Sequence, residues 1–218
     1  IRALGRRAEA LQADLLDEAA VRTLVPRAAK ALGGPLTLLV NNASTFDNDS
    51  LRTATDELWQ RNIGTNLRAP FLLTQTFAAQ APGAARDAAG EAVSTALIVN
   101  MVDQKVLKLT PGFMTYTLAK MGLWALTRTA AQDLAPGIRV NAIGPGPTLI
   151  GARQGPDHFA RQRAGTVLKR GSNPEDVVAA LRYFIAAPGV TGQLLCPDGG
   201  QHLGWQTPDI AGPGGAGD

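Results

Sequence analysis

The sequence predicts an α/β protein: a doubly wound parallel sheet in three layers, with helices on both faces. Three observations predict it. Short continuous apolar runs recur at Leu36 to Val40, Ala96 to Met101 and Ile138 to Ile143. They lack the strict alternation of a strand with one wet face and read as strands buried on both sides. Segments with apolar residues at helical spacing lie between them, and breakers such as Gly33-Gly34-Pro35, Pro136-Gly137 and Gly144-Pro145-Gly146-Pro147 mark the junctions. Strands alternating with helices build parallel sheets that bind ligands at the carboxyl ends of the strands.

Taken in order, Ala10 to Leu15 predicts a short strand. Glu18 to Leu32 predicts a helix through Val21, Leu24, Val25, Ala28 and Leu32. Leu36 to Val40 is a buried strand that ends at Asn41-Asn42. A helix from Thr55 to Ala79 opens on a threonine cap with Asp56-Glu57 in its first turn, its apolar stripe read through Trp59, Ile63, Leu67 and Phe71. The Ala/Gly/Pro-rich run from Ala81 to Gly90 predicts a loop. The strand Ala96 to Met101 leads into a helix from Thr115 to Leu134, closed by Pro136-Gly137. Ile138 to Ile143 is a strand, Pro174 to Ala186 a helix with proline at its start, and Val190 to Leu195 a last strand. Gln206 to Asp218, with little to bury, predicts a disordered tail after one domain spanning residues 1–205.

Composition excludes several classes of function. With 218 residues, 45% hydrophobic and 18% charged, the chain supports one sizeable core. The net charge of +3 is spread rather than bunched, so no nucleic-acid partner is expected. One cysteine, Cys196, forms no internal disulfide, and with only two histidines no metal cluster is expected. No apolar stretch reaches the roughly 20 residues that span a bilayer, and Ile1 to Arg7 lacks a signal-peptide layout. The expectation is a cytoplasmic protein without a membrane partner.

The chemistry begins with Tyr116 and Lys120. Four residues apart on a predicted helix, they share a face one turn from each other. An ammonium beside a phenol favours the phenolate and brings the group toward the range useful for proton transfer near neutrality. The plainer alternative is a core tyrosine with a solvated lysine nearby. Other pieces stand in a fixed order around this pair: Asn41-Asn42-Ala43 after a strand, Asn66 in the next helix, and Pro145-Gly146 after a later strand.

In these features the chain resembles the short-chain dehydrogenase/reductase family, whose fold is Rossmann-like. The resemblance implies that Tyr116 exchanges a proton with substrate while Lys120 lowers its pKa and holds the nicotinamide ribose, and that Asn66 maintains a water-linked relay. It also implies cofactor contacts from Asp14 and Leu15 near the adenine, from Asn42, Ala43 and Ser44 along the cofactor, from Met101, Pro145 and Gly146, and from Thr148 at the carboxamide. For Asp14 the alternative is a helix cap.

Asp103 departs from the family pattern, which puts a serine thirteen residues before the tyrosine. An ionised carboxylate only accepts hydrogen bonds, so it suits a substrate with N–H donors better than a developing alkoxide. The alternatives are a turn residue or a decayed site. An aspartate here, and the run Asn41-Asn42-Ala43-Ser44-Thr45-Phe46, are similar to the pteridine reductase branch, in which the phenylalanine stacks on the flat pterin. The alternative for Phe46 is a loop-anchoring aromatic. The resemblance thus implies an NADPH-dependent reductase of a pterin, dihydropterin or dihydrofolate acting on a C=N bond. A reductase of other small carbonyls or imines, and a non-catalytic binding protein, stay open.

The glycine-rich turn with which the family opens has no counterpart before Asp14, so the first strand-helix-strand unit, about 45 to 50 residues, is expected to lie outside this chain. The residues do not separate NADPH from NADH; the branch points to NADPH. Asp198-Gly199-Gly200 and the long helices resemble the surfaces through which the family forms homodimers and homotetramers.

Overall fold

The computed structural model describes residues 1–151 and 154–206. Four strands, β1 (Leu38–Asn41), β4 (Ala96–Met101), β5 (Ile138–Ile143) and β6 (Leu194–Leu195), form a parallel sheet in the order β1-β4-β5-β6. Leu38 pairs with Leu97, Ala96 with Ile138, and Ala142 with Leu194, so the carboxyl ends of β1, β4 and β5 lie together along one rim. Helices α1 (Glu18–Leu32), α3 (Ala69–Ala78) and α4 (Met114–Asp133) cover one face, and α6 (Pro174–Ala186) covers the other.

The period of two along β4 shows why its sequence reads as an unbroken apolar run. Ile98 packs with Val21, Val25, Leu72 and Phe77 on one side. Leu97 and Val99 pack with Ala180 and Phe184 on the other. Both faces are dry, so both sets of side chains are apolar.

Several boundaries differ from the sequence expectation. Residues 10–15 are not a strand: they pair with no other segment among the described residues, and an apolar run without a ladder does not make a strand. The last strand shortens to Leu194–Leu195: Gly192 takes φ +68°, and ahead of the strand backbone bonds to β5 are interleaved with side-chain ones. The Asn141 amide accepts from Gln193 N and donates to the Val190 carbonyl, while the Thr191 hydroxyl accepts from Val140 N. Within the expected loop, Ala85–Arg86 (β2) pairs antiparallel with Ala92–Val93 (β3), and the Asp87 carboxylate holds the turn by accepting from Ala89 N and Glu91 N. Of the expected tail, Gln206 to Asp218, residues 207–218 lie outside the described residues.

The helix expected from Thr55 to Ala79 is three pieces in line: α2 (Asp56–Ile63), a π-helical turn (Gly64–Arg68) and α3. Its buried face is offset from the predicted stripe, of which Ile63 and Leu67 are half-buried and Leu67 packs on the core. Trp59 and Phe71 are 45% and 42% exposed, whereas Asn62, Thr65, Asn66 and Phe77 point inward. A side chain at Gly64 would press on Leu16 Cδ2 at 2.6 Å, which suits glycine where the turn meets the chain entering α1. A further helix, α5 (Pro156–Ala164), has no counterpart in the sequence reading.

Among the described residues, no helix is long and apolar enough to cross a membrane. Phe77 is fully enclosed at the centre of the larger core. Phe77→Ala is expected to lower the unfolding free energy by ~3–5 kcal/mol in a urea titration, with the far-ultraviolet dichroism of the folded state unchanged.

Candidate active site

The site is built where β1, β4 and β5 end. A buried side-chain ladder crosses the sheet just beneath the rim: Asn41 Nδ2 donates to Asn100 Oδ1 at 2.7 Å, and Asn100 Nδ2 donates to Thr127 Oγ1 on α4 at 2.9 Å. It ties α4 to the strand ends. Asn41 Oδ1 is left buried without a hydrogen-bond partner among the described residues.

Beyond the ladder, Tyr116 and Lys120 project from the first two turns of α4, both buried. Tyr116 Oη donates to Asp103 Oδ2 at 2.9 Å. Asp103 Oδ1 accepts from Lys105 N at 2.8 Å and caps the short 3₁₀ turn Gln104–Val106. Lys120 Nζ donates to the Met101 carbonyl at 2.7 Å and stands 5.6 Å from the centre of the Tyr116 ring.

The electrostatics differ from the sequence expectation for the phenol. Burial, the adjacent Asp103 charge and the hydrogen bond to that carboxylate push Tyr116 well above its ordinary value, so it is held neutral rather than near ionisation. Burial also raises Asp103, against the Lys105 N–H, the Tyr116 hydroxyl and the charges of Lys105 and Lys120. Burial lowers Lys120 to about 8, partly opposed by the Asp103 charge. Tyr116 therefore keeps its proton and donates it in the hydrogen bond to Asp103.

Phe46 reaches this group from the loop after β1. Its ring stacks on Phe113 with centroids 4.2 Å apart and planes 8° apart, and meets Tyr116 edgewise at 4.7 Å. Phe113 is the residue at which α4 begins, and its φ of 60° is the left-handed conformation that a side chain this large rarely adopts. Phe46, Asp103, Tyr116, Pro145, Gly146 and Thr148 border one cleft of about 280 Å³, which Phe159 and Gln162 of α5 also line. Thr148 Oγ1 donates to the Gly146 carbonyl at 2.9 Å. Gly146 has a packing reason to be glycine, since a Cβ there would stand 2.8 Å from the Asp198 Cα.

The other predicted residues lie outside this cleft. Leu15, Asn42 and Ala43 border a mostly apolar groove of about 270 Å³ between α1, α3 and β1. Asp14 is exposed and accepts from Leu16 N at 2.9 Å, a local turn. The cap of α1 is Asp17, which accepts from Ala19 N and Ala20 N. The Asn66 amide is committed to the loop: Oδ1 accepts from Ser44 Oγ at 2.8 Å and Thr45 N at 3.1 Å, and Nδ2 donates to the Thr45 carbonyl at 3.0 Å. Among the described residues, its side chain makes no hydrogen bond to Lys120.

Sequence reasoning missed Asn62 and Asp49, which complete this network. Asn62 Oδ1 accepts from Thr45 Oγ1 and Asn62 Nδ2 donates to Thr115 Oγ1, each at 2.9 Å. Asp49 accepts from Thr115 Oγ1 at 2.6 Å and from Thr115 N at 3.2 Å. The loop carrying Phe46 and the start of the helix carrying Tyr116 are thereby one unit.

A short-chain dehydrogenase family model described as enoyl-(acyl carrier protein) reductase matches residues 1–202. The chain belongs to the short-chain dehydrogenase/reductase family. Among solved members of this family, FolM alternative dihydrofolate reductase 1 from Brucella canis, complexed with NADP, superposes with a TM-score of 0.87 at 43% identity, over 96% of this chain and 79% of that one. The granaticin polyketide synthase putative ketoacyl reductase 2 of Streptomyces violaceoruber is 34% identical over 200 residues, 88% of this chain and 76% of that protein. Pteridine reductase 1 of Leishmania tarentolae is 32% identical over 198 residues, 78% of this chain and 64% of its own length.

The buried Asp49 clamp gives this short-chain dehydrogenase/reductase a testable dependence. Asp49→Ala is expected to lower the unfolding free energy by about 2–3 kcal/mol, because it strands the Thr115 donors and removes a charge-assisted bond. Asp49→Asn, which still presents an acceptor oxygen, recovers more than half of that loss in the same denaturant titration.

Proposed function

We propose that this protein is an NADPH-dependent reductase of a pterin or dihydropterin, dihydrofolate included, acting on a C=N bond, with residues 1–205 as one Rossmann-like domain. The single observation that carries the reading is the neutral Tyr116 phenol hydrogen-bonded to Asp103 with the Phe46 ring edge-on beside it, in a cleft at the strand ends. Relatives support it in kind: the Brucella canis protein is named a dihydrofolate reductase and the Leishmania tarentolae protein a pteridine reductase.

The residues present fit part of the dinucleotide, the glycine-rich turn for its phosphates being expected outside this chain. The groove at Leu15, Asn42 and Ala43 would take its adenosine half, with Asp14 and Ser44 flanking. Lys120, which among the described residues uses one of its three donors, on the Met101 carbonyl, would hold the nicotinamide ribose. The unpartnered Asn41 Oδ1 leaves an acceptor at the strand end. Pro145, Gly146 and Thr148 would border the nicotinamide. NADPH, when bound there, supplies a hydride to the carbon of the C=N bond.

The chain's own residues do the rest. Phe46 offers a ring against which a planar heterocycle stacks. Asp103 orients the Tyr116 hydroxyl and accepts from an N–H of the heterocycle, a contact for which a simple ketone has no donor. Tyr116 gives its proton to the nitrogen, completing CH–NH. Asn66 supports the site by fixing the Ser44–Thr45 loop. The exposed apolar residues Trp59, Phe71, Leu118 and Met121 on the helical layer would serve a homodimer or homotetramer.

The direct test follows NADPH oxidation spectrophotometrically, on the full-length protein, with dihydrobiopterin and with dihydrofolate. Turnover of at least one is expected, and turnover of neither removes the substrate assignment. Tyr116→Phe is expected to lower kcat by about 10²–10⁴-fold, the usual contribution of a positioned proton donor. Retained activity would remove the mechanism. Because Lys120 is pushed down to about 8, it is charged below that pH and neutral above it, so kcat/KM is expected to fall as pH rises through about 8. That limb disappears in Lys120→Met.

A further inference from the structure

Two charged side chains border the candidate substrate cleft: Asp103 at its base and Lys105 at its wall. The lysine is half-buried and is held by neutral groups. Its Nζ donates to Thr110 Oγ1 at 2.8 Å and lies 5.2 Å from the centre of the Phe113 ring. Among the described residues no carboxylate lies within ion-pair distance of it, although its charge is felt at Asp103. An ammonium carries three donors and no acceptor, so two remain for a ligand.

The ring stack relates the lysine to the candidate stacking residue: the ammonium lies against Phe113, and Phe46 lies parallel against the same ring. Phe46 and Lys105 border one cleft. A heterocycle stacked on Phe46 would therefore turn a negatively charged side chain toward the ammonium.

We infer that Lys105 is a specificity-determining residue that binds an anionic group carried on the side chain of a planar heterocyclic substrate, and so favours substrates with a negatively charged tail over those with a neutral one. This deepens the pterin reductase reading and rests on it. A partly desolvated cation is screened less than one in water, so the preference has a measurable size. Pinning by Thr110 and Phe113 means that little side-chain freedom is lost on binding.

The experiment compares kcat/KM for dihydrofolate, whose tail carries carboxylates, with that for dihydrobiopterin, whose side chain is neutral. The ratio of the two is expected to fall about tenfold in Lys105→Met, mostly through KM for dihydrofolate, and to recover most of the way in Lys105→Arg. In the wild type, KM for dihydrofolate is expected to rise with added sodium chloride more steeply than KM for dihydrobiopterin, and in Lys105→Met the two slopes converge. An unchanged ratio in Lys105→Met overturns the inference. Equal losses of kcat on both substrates also overturn it, because they assign Lys105 to tuning Asp103 instead. Wild-type protein that turns over neither compound removes the pterin reading itself, and this inference with it, a result distinct from turnover with no Lys105 effect.

Discussion

The site depends on a buried hydrogen-bond network whose hubs are two asparagines one helical turn apart. Asn62 and Asn66 face inward from α2 and from the π-helical turn, where apolar side chains would ordinarily stand. Their amides join the Ser44–Thr45 loop to Thr115, and Asp49 closes the circuit from the other side. Buried polar groups are costly unless fully paired, and here each amide has both of its ends engaged. The relative placement of Phe46 and Tyr116 is thereby a property of the core rather than of a surface loop. A π-turn at such a point is in keeping with the tendency of these bulges to occur at functional positions.

The sheet supplies the second constraint. Both faces are covered, and the polar side chains at the carboxyl ends of β1 and β4 are paired in the Asn41–Asn100–Thr127 ladder that anchors α4. Two clefts result. One is mostly apolar and runs along the outer edge of β1 from Leu36 to Ala43, and the other, at the strand ends, holds the ionisable groups.

Much of this was legible in the sequence, for reasons that also show where legibility stopped. Tyr116 and Lys120 are one turn apart on a single helix, so their proximity follows from spacing alone, and the limits of β4, β5 and α6 follow from runs of apolar residues and a proline. The network hubs were not legible. Asn62 and Thr115 are distant in the chain, and the inward face of α2 is polar, so hydrophobic periodicity pointed to Trp59 and Phe71, on the wrong side. Phe113 was within reach, three residues before Tyr116 and at the start of the same helix, but nothing in its neighbours signalled a left-handed conformation. The protonation state of Tyr116 also escaped: the sequence supplies the lysine that lowers a phenol and the aspartate that raises it, and only burial and distance decide between them.

The left-handed backbone at Phe113 sets a limit on how this protein can be improved. A bulky residue in that conformation holds strain of order 1–3 kcal/mol, maintained by the surrounding packing. Glycine would release it and firm up the fold, yet it would also delete the ring that braces Phe46 and carries Lys105. Selection for thermal robustness and selection for substrate handling therefore pull in opposite directions at this residue, and a search for stabilising substitutions would nominate it for the very reason it should be left alone.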